Sequence, residues 1–197
     1  PDGEKYKDRL VINTEKYLEF LESISSECTF FIVGKVAQQY PDLIKLIISC
    51  GHELACHGMN HTPLNKLSPN EFEDDLKQNM EYIYKAGSSN LHGFRAPFFS
   101  LTKDTVWAYE ILKKLGFKYS SSVLPAKNPL YGWPSFGEKT KEVLKGFYEI
   151  PITLSGFPIL NVPFAGGVYF RVLPFFLIKY LINKKQSYFH EIKGYFH

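Results

Sequence analysis

Patterns typical of helices and of strands alternate along this chain, and the alternation limits the folds it can adopt. Apolar residues at helical spacing from Tyr17 to Ile24, with Asn13 as a candidate helix cap, precede an apolar run at residues 28–33 that predicts a fully buried strand. A second helical pattern at residues 36–49 leads into the next strand. Strands that alternate with helices in this way predict βα units around a parallel sheet.

The alternation continues to the end of the chain. Ser68, Pro69 and Glu71 form a capping box with proline at the first helical position, which predicts a helix to about residue 86. Residues 122–146 are rich in Pro, Gly, Asn and Lys and predict a long irregular excursion over the surface. The other predicted elements are strands at residues 52–57, 92–95, 117–121 and 148–152, a last strand ending at residue 197, and helices at residues 103–115, capped by Thr102, and 174–183.

Size and charge narrow the classes of function. A chain of 197 residues with 45% apolar residues can bury one sizeable core, so a single domain is expected, although a larger α/β barrel would need more elements. The formal charge of +3 is spread along the sequence, so nucleic acids and membrane surfaces are not indicated as partners. No apolar run reaches the roughly 18 residues of a membrane-spanning helix. The three cysteines, Cys28, Cys50 and Cys56, lie in apolar runs and are expected to be buried thiols.

Two histidines stand where the second predicted strand ends. His57 is its last residue, and His61 follows in the next turn. Neutral imidazole is a preferred ligand of Zn²⁺, so this pair could supply half of a tetrahedral site, with the other ligands coming from elsewhere. The spacing alone also fits histidines that are satisfied within the structure or face solvent.

Other polar side chains stand at strand ends as well. Arg95, the run from Ser120 to Ser122, and His197 each lie where a predicted strand ends. Because ligands bind at the carboxyl ends of parallel strands, these groups are expected to face one cleft together with His57. Two alternatives remain open: Arg95 as a helix cap or a surface ion pair, and His197 as a solvent-exposed terminal residue.

The order of these motifs resembles that of the polysaccharide deacetylases, the NodB-homology hydrolases of carbohydrate esterase family 4. The likeness covers nearly the whole chain, and residues 165–174 resemble a segment of the branch associated with exopolysaccharide synthesis and export. The segments that carry it are Thr29-Phe30-Phe31, Gly51-His52-Glu53, His57-x-x-x-His61, Arg95-Ala96-Pro97-Phe98 and Tyr195-Phe196-His197.

This resemblance implies a distorted (β/α) barrel related to the TIM barrel, with residues 1–197 forming one deacetylase-like domain that is truncated at both ends. It also implies that His57 and His61 hold a divalent metal, which would be zinc or else cobalt or a similar ion. The family's third ligand and its catalytic base are aspartates of a Thr-Phe-Asp-Asp motif, which this sequence lacks. That motif is expected in a strand before Pro1, so the barrel is expected to be incomplete at its amino terminus.

The implied reaction is the metal-dependent hydrolysis of N-acetyl groups on an amino-sugar polysaccharide or oligosaccharide. Arg95 would hold the base carboxylate, and His197 would protonate the departing amine. Ser120 stands where the related branch usually has an aspartate that supports this histidine, and a serine cannot stabilise an imidazolium by charge. His190 is a rival for the catalytic role, although the distance of His197 from Pro174 fits the family's spacing better.

Four residues are candidate substrate contacts: Pro97 and Phe98 in the Arg-x-Pro motif, and Tyr131 and Trp133 in the long excursion. Flat aromatic rings suit the faces of sugars, and the expected partner is an N-acetylated glycan. A bacterial cell-envelope polysaccharide pathway is the expected setting, and the compartment stays open. Two alternatives remain: a small-amide hydrolase on the same scaffold, and a glycan-binding relative that has lost catalysis.

Overall fold

The computed structural model describes residues 2–128, 130–155, 163–164, 166–186 and 192–195. Helices and strands alternate along the chain. The α-helices described are α1 (Asp2–Ser23), α2 (Gly34–Gln39), α3 (Pro41–Ser49), α4 (Pro69–Lys85), α5 (Ala108–Lys114), α6 (Gly167–Val172) and α7 (Phe175–Gln186). The strands described are β1 (Thr29–Ile32), β2 (Glu53–Cys56), β3 (Gly93–Phe94), β4 (Tyr119–Ser120), β5 (Lys141–Leu144) and β6 (Phe147–Glu149). Short 3₁₀ turns span Leu64–Lys66, Pro97–Phe99, Lys103–Thr105 and Pro134–Phe136.

The strands form one six-stranded sheet in the order β1-β2-β3-β4-β6-β5. Neighbouring strands are parallel except β5, which pairs with β6 in the antiparallel direction. The parallel strands therefore bring their carboxyl ends to one edge of the sheet. The α/β prediction is confirmed, and across the described residues the sheet is open, with β1 and β5 at its two edges. An open sheet of this kind is consistent with a distorted barrel.

Helix α4 begins where the local sequence predicts. Ser68 Oγ accepts a hydrogen bond from the backbone N–H of Glu71, and the Glu71 carboxylate accepts one from the backbone N–H of Ser68, at 3.3 and 2.7 Å. Pro69 occupies the first helical position, where its missing N–H costs nothing. The predicted capping box is present, and α4 buries Phe72 and Ile83 in the core.

Three predictions for the amino-terminal part are wrong in detail. Helix α1 starts well before Asn13, which lies inside the helix and caps nothing. The helix expected at residues 36–49 is two helices, because Pro41 has no N–H for the helical ladder and starts α3. Strand β1 is mostly half-buried rather than fully buried, because it lies at the edge of the sheet.

The carboxyl-terminal half also departs from the predicted pattern. The helix expected at residues 103–115 is a 3₁₀ turn followed by the shorter α5, and the turn begins with a hydrogen bond from the Thr102 N–H to Thr105 Oγ1 at 2.9 Å. The excursion at residues 122–146 is not irregular throughout, because its last part forms β5. At the end of the chain, Tyr195 makes a parallel bridge to Gly166, while the rest of the expected last strand lies outside the described residues.

The main core lies between the sheet and helices α2 to α5. Aromatic rings fill much of it: Phe72 contacts Phe94 at 5.4 Å and Trp107 at 5.6 Å between ring centroids, so Trp107 is a core residue. Gly93 in β3 lies against the Tyr119 ring of β4, and a Cβ at this position would overlap that ring. Glycine therefore allows Tyr119 to cross the neighbouring strand.

The cysteines differ in burial. Cys56 in β2 is buried and Cys28 is half-buried, but Cys50 at the end of α3 is exposed, so the prediction of a buried thiol is wrong there. The three thiols are free. Across the part of the chain that the structure describes, none of the helices is both long and apolar enough to cross a membrane.

Candidate active site

His57 follows β2 directly and lies at the edge where the parallel strands end. Its backbone N–H donates to the Ile32 carbonyl at 3.0 Å, which extends the pairing with β1 beyond Cys56. Its ring Nδ1 lies 2.7 Å from the carbonyl oxygen of Arg95. A carbonyl oxygen can only accept, so Nδ1 carries the proton and the lone pair of the neutral ring resides on Nε2. Metal-binding histidines usually have this arrangement, with one nitrogen donating to a carbonyl and the other facing the metal.

A turn with an unusual backbone brings His61 to His57. The two ring centroids are 4.8 Å apart, with an angle of 72° between the ring planes. His61 has φ 57°, and Phe98, whose ring centroid is 4.8 Å from that of His61, has φ 58°. Residues other than glycine rarely adopt this left-handed conformation, and such strain is concentrated at functional sites. The turn and the Arg-x-Pro segment therefore hold these rings in a fixed cluster.

Arg95 follows β3 and extends along the interior of the fold. Its Nε donates to the Ser121 carbonyl at 2.9 Å and its Nη2 to Ser121 Oγ at 2.8 Å. The guanidinium carbon lies 4.0 Å from the centroid of the Phe31 ring and 5.4 Å from that of Phe99. Burial lowers the pKa of Arg95 to about 10, so the side chain is still charged at neutral pH.

The ion pairs among the described residues do not include Arg95. The Arg95 guanidinium is half-buried and is held by Ser121 and two aromatic rings. It is neither a surface ion pair nor a helix cap, so both alternatives for Arg95 are wrong. A charge kept in such surroundings costs desolvation energy, which an opposite charge in the cleft would offset.

The serines at the end of β4 and directly after it form a buried hydrogen-bond network next to Arg95. The Ala96 N–H donates to Ser122 Oγ at 2.8 Å, and Ser120 Oγ lies 2.6 Å from Ser122 Oγ. Glu149 Oε1 accepts the backbone N–H groups of Ser122 and Val123 at 2.7 and 2.9 Å. The predicted contact between Ser120 and the catalytic histidine falls outside the described residues, and the described partners of Ser120 are Ser122 and the Glu149 carboxylate.

Sequence reasoning missed Glu149. It is 0% exposed at the end of β6, and burial raises the pKa of its carboxyl group against the opposing effect of its hydrogen bonds. Its signal in the sequence is a single acidic residue between the apolar stretches of a strand, where Ile150 and Ile152 follow. Charged residues are almost never fully buried without a role in holding other groups.

A cleft of about 1350 Å³ connects these groups. One wall is formed by α1 and the exposed edge of β1, and the end near the strand termini is lined by His57, His61, Arg95, Phe98 and Tyr195. The Tyr195 ring packs edge-on against Phe99 at 4.8 Å between centroids. Of the strand-end groups predicted to face one cleft, His57, Arg95 and Ser121 line it, whereas Ser120 and Ser122 are buried and do not.

The candidate substrate contacts are divided. Phe98 is 55% exposed in the cleft, whereas Pro97 is buried beneath it. Tyr131 and Trp133 do not line the cleft. The Tyr131 hydroxyl donates to Asn65 Oδ1 at 3.1 Å, and the Trp133 ring packs against Phe136 at 5.0 Å between centroids.

The two candidate catalytic histidines, His197 and His190, lie outside the described residues. Within the described part of the chain, no set of three or more His, Cys, Asp or Glu side chains is placed to hold a metal ion. A metal ion bound by His57 and His61 would need a further ligand from outside the described residues.

Comparison with known families agrees with this geometry. The sequence profile of the polysaccharide deacetylases matches residues 5–120, which is more than half of the chain. The chain belongs to the polysaccharide deacetylase family. Residues 121–197 match a second profile, a domain of unknown function (DUF3473). Strand β6 of the second segment pairs with β4 of the first, so the two segments share one sheet.

Known relatives match this chain over part of their length. A peptidoglycan deacetylase-like protein, FGM2 of Gibberella zeae, is 30% identical over 108 residues, which are 55% of this chain and 31% of that protein. The chain thus spans about a third of the length of this curated relative.

Two solved structures share the fold. One, from Mycobacterium smegmatis, is a candidate polysaccharide deacetylase with a TM-score of 0.59 and 24% identity, and the match covers 72% of this chain and 46% of that one. The other, BA3943 of Bacillus anthracis, is described as a pseudoenzyme of carbohydrate esterase family 4. Its TM-score is 0.56 with 16% identity, over 89% of this chain and 47% of that one.

Proposed function

We propose that this chain is part of a metal-dependent hydrolase that removes N-acetyl groups from an amino-sugar polysaccharide or oligosaccharide. The observation that carries the proposal is the hydrogen bond from His57 Nδ1 to the Arg95 carbonyl. It leaves the lone pair on Nε2 available to a metal ion, and it joins the histidine motif to the Arg-x-Pro motif. The family match supports the reaction class.

His57 and His61 fit a zinc ion in the chemistry of their donors. Both are imidazoles at a strand end, their rings are 4.8 Å apart, and the proton of His57 resides on the nitrogen that faces away from a prospective metal. When bound, a divalent ion would polarise the acetyl carbonyl and lower the pKa of a bound water. Cobalt or a similar ion could take the place of zinc at such a site.

The fold offers a place for the third ligand and the catalytic base. Strand β1 is the outer strand of the described sheet, and its edge lines the cleft. A strand that pairs in parallel with the free edge of β1 would bring aspartates at its carboxyl end to the same edge of the sheet as His57, with β1 between them. That the Thr-Phe-Asp-Asp motif occupies this place stays a prediction.

Arg95 would hold the base carboxylate. Its charged guanidinium lies in the cleft, fixed by Ser121 and stacked on Phe31, and described carboxylates do not neutralise it. A carboxylate arriving beside it would gain a charge-assisted hydrogen bond and would remain ionised as a base. Protonation of the departing amine by His197 stays a prediction as well.

Phe98 is the substrate contact that the geometry supports best. Its ring is more than half exposed and lies next to His61, where the plane of a sugar could pack against it while the N-acetyl group enters the site. For Tyr131 and Trp133, a role in substrate binding would require a glycan that extends beyond the cleft.

A second candidate function is a glycan-binding protein without catalysis. Two observations favour it: among the described residues no set of three or more His, Cys, Asp or Glu side chains is placed to hold a metal ion, and one protein of the same fold is described as a pseudoenzyme. The small-amide hydrolase has less support, because a cleft of about 1350 Å³ is larger than a small amide needs.

The test uses the full-length protein and the variants His57→Ala and His61→Ala, with His92→Ala, an exposed histidine away from the cleft, as the matched control. Loss of either ligand should weaken Zn²⁺ binding in calorimetry by more than about 100-fold, the upper effect of removing an outer-shell partner, while the control binds normally. Unchanged metal affinity in the two ligand variants would contradict the assignment.

Acetate release separates the two functions. Release from N-acetylglucosamine oligomers that is lost in both ligand variants would support the hydrolase. Binding of the oligomers without acetate release, in a protein that retains its metal, would favour the glycan-binding protein. Faster release from small amides than from oligomers would point to the small-amide hydrolase.

A further inference from the structure

Helix α7 has two faces of different character. The inward face packs against a small core, where Ile178 and Leu181 are buried against Phe164. The inward Lys185 forms an ion pair with Glu138 at 2.9 Å. The inward face of α7 is therefore covered by the rest of the fold.

The outward face is aromatic and exposed. Phe175 and Phe176 are 72% and 75% exposed, and Tyr180 is 54% exposed one turn later. Val172, at the end of α6, adds a further apolar side chain that is 74% exposed. A cluster of large apolar side chains on one surface usually marks a binding face in a folded protein.

The stretch of sequence that contains this helix carries basic residues and no acidic ones, and Glu138, which pairs with Lys185, comes from outside it. Between Glu149 and Glu191 the sequence contains no acidic residue, while Arg171, Lys179, Lys184 and Lys185 all lie there. Helical spacing places Lys179 and Lys184 on the outward side with the aromatic rings. The modest charge of the whole chain conceals this local concentration, since acidic residues elsewhere balance it.

Helix α1 also has exposed apolar residues, but it lacks the combination of exposed aromatic rings with lysines and no acidic residues that α7 has. Its exposed large apolar side chains include Ile12 and Phe20. There, however, Glu15, Glu19 and Glu22 share the helix. Acidic side chains at such spacing repel an anionic surface, so α1 serves as the natural comparison for α7.

We propose that the outward face of α6 and α7 binds the surface of an anionic lipid bilayer. This lipid-facing surface consists of Val172, Phe175, Phe176, Lys179, Tyr180 and Lys184. Aromatic rings beside lysines on one face of a helix suit the headgroup region, where the rings enter the acyl boundary and the ammonium groups contact lipid phosphates. A second copy of the chain is a poorer occupant, because two-fold pairing of this face would bring lysines against lysines.

The surface is connected to the cleft. Gly166, just before α6, bridges to Tyr195, whose ring lines the cleft. Docking through α7 would therefore hold the cleft at a constant orientation to the membrane. Lipid binding does not depend on the proposed deacetylase activity, and its measurement needs neither metal nor glycan.

The experiment is co-sedimentation of the full-length protein with vesicles of phosphatidylcholine alone and of equal parts phosphatidylcholine and phosphatidylglycerol. Binding should be stronger to the anionic vesicles and should weaken as salt is added. Each lysine near an anionic surface should contribute about fivefold to the affinity. The double variant Lys179→Gln with Lys184→Gln should therefore bind about 25-fold more weakly. Phe175→Ser with Phe176→Ser should lower it by about tenfold or more.

The matched control carries Lys16→Gln and Phe20→Ser in α1, and it should bind like the wild type. All variants should keep the wild-type melting temperature, because the changed side chains are exposed. Absence of binding, equal binding to both vesicles, or equal losses in the α1 control would overturn the proposal. So would a concentration-dependent dimer in light scattering that the Phe175→Ser and Phe176→Ser variant abolishes, since a second copy would then cover this face.

Discussion

The buried carboxylate of Glu149 should be worth several kcal/mol to the stability of this fold. Its Oε1 accepts two backbone N–H groups, from Ser122 and Val123, at the turn that positions Ser121 under Arg95. The Glu149→Ala variant removes this shared acceptor and leaves two backbone donors in a site without solvent.

The magnitude follows from the number of donors left unpaired. Each buried donor without a partner costs about 1–3 kcal/mol, so Glu149→Ala should lower the free energy of unfolding by about 2–6 kcal/mol, before any cavity is counted. Glu149→Gln keeps a carbonyl oxygen of the same size in place of Oε1. Its cost should be below about 1.5 kcal/mol, the usual net value of one hydrogen bond.

The pH dependence gives a second readout from the same residue. Because burial raises the pKa of Glu149 above its ordinary 4.5, the folded state holds this proton more tightly than the unfolded state does. The stabilisation is complete below pH 4.5 and is lost as the pH rises through the raised pKa. The glutamine of Glu149→Gln cannot ionise. The free energy of unfolding of the wild type should therefore fall relative to that of this variant as the pH rises from 4.5 through the raised pKa.

Urea unfolding followed by circular dichroism at a series of pH values measures both effects. The reasoning is refuted if Glu149→Ala costs less than about 1 kcal/mol, below the lower limit for one orphaned donor. It is also refuted if Glu149→Gln is as damaging as Glu149→Ala, because the loss would then come from the charge and not from the acceptors.

Three further outcomes can be measured with simple assays. Gly93→Ala should destabilise the fold by about 1–3 kcal/mol, because the added Cβ meets the Tyr119 ring; an unchanged melting temperature would contradict that contact. Ser68→Ala should cost about 1 kcal/mol in urea unfolding through loss of the α4 cap, and a neutral result would mean that Glu71 maintains the helix start alone. A thiol reagent should modify Cys50 first and Cys56 only on unfolding, since burial raises the pKa of the Cys56 thiol; rapid modification of Cys56 in the folded protein would disagree with this burial.

Several elements of the fold could be predicted because their signals are local. The capping box at Ser68 and Glu71 specifies the start of α4 through hydrogen bonds within four residues. The strand ends at His57 and Arg95 follow from apolar runs that stop at polar residues, and parallel pairing then brings those ends together. The cleft that both residues line was predictable for the same reason.

Other predictions failed where distant residues decide the outcome. Asn13 has the chemistry of a helix cap, but α1 continues through it. The excursion at residues 122–146 shows no clear periodicity, yet its end becomes β5 because β6 offers a hydrogen-bonding edge. Burial of a cysteine depends on which side of a helix end faces the core, so Cys50 is exposed although its neighbours are apolar.

The order of motifs along the chain was enough to indicate the family and to select His57, His61 and Arg95 as candidate site residues. It could not show which nitrogen of His57 carries the proton, that Glu149 supports the turn beneath Arg95, or that the rings of α7 face outward. Each of these depends on contacts between segments far apart in sequence. Local patterns record the preferences of a residue for its neighbours, whereas hydrogen-bond partners and exposed faces are settled only when the sheet and its helices pack together.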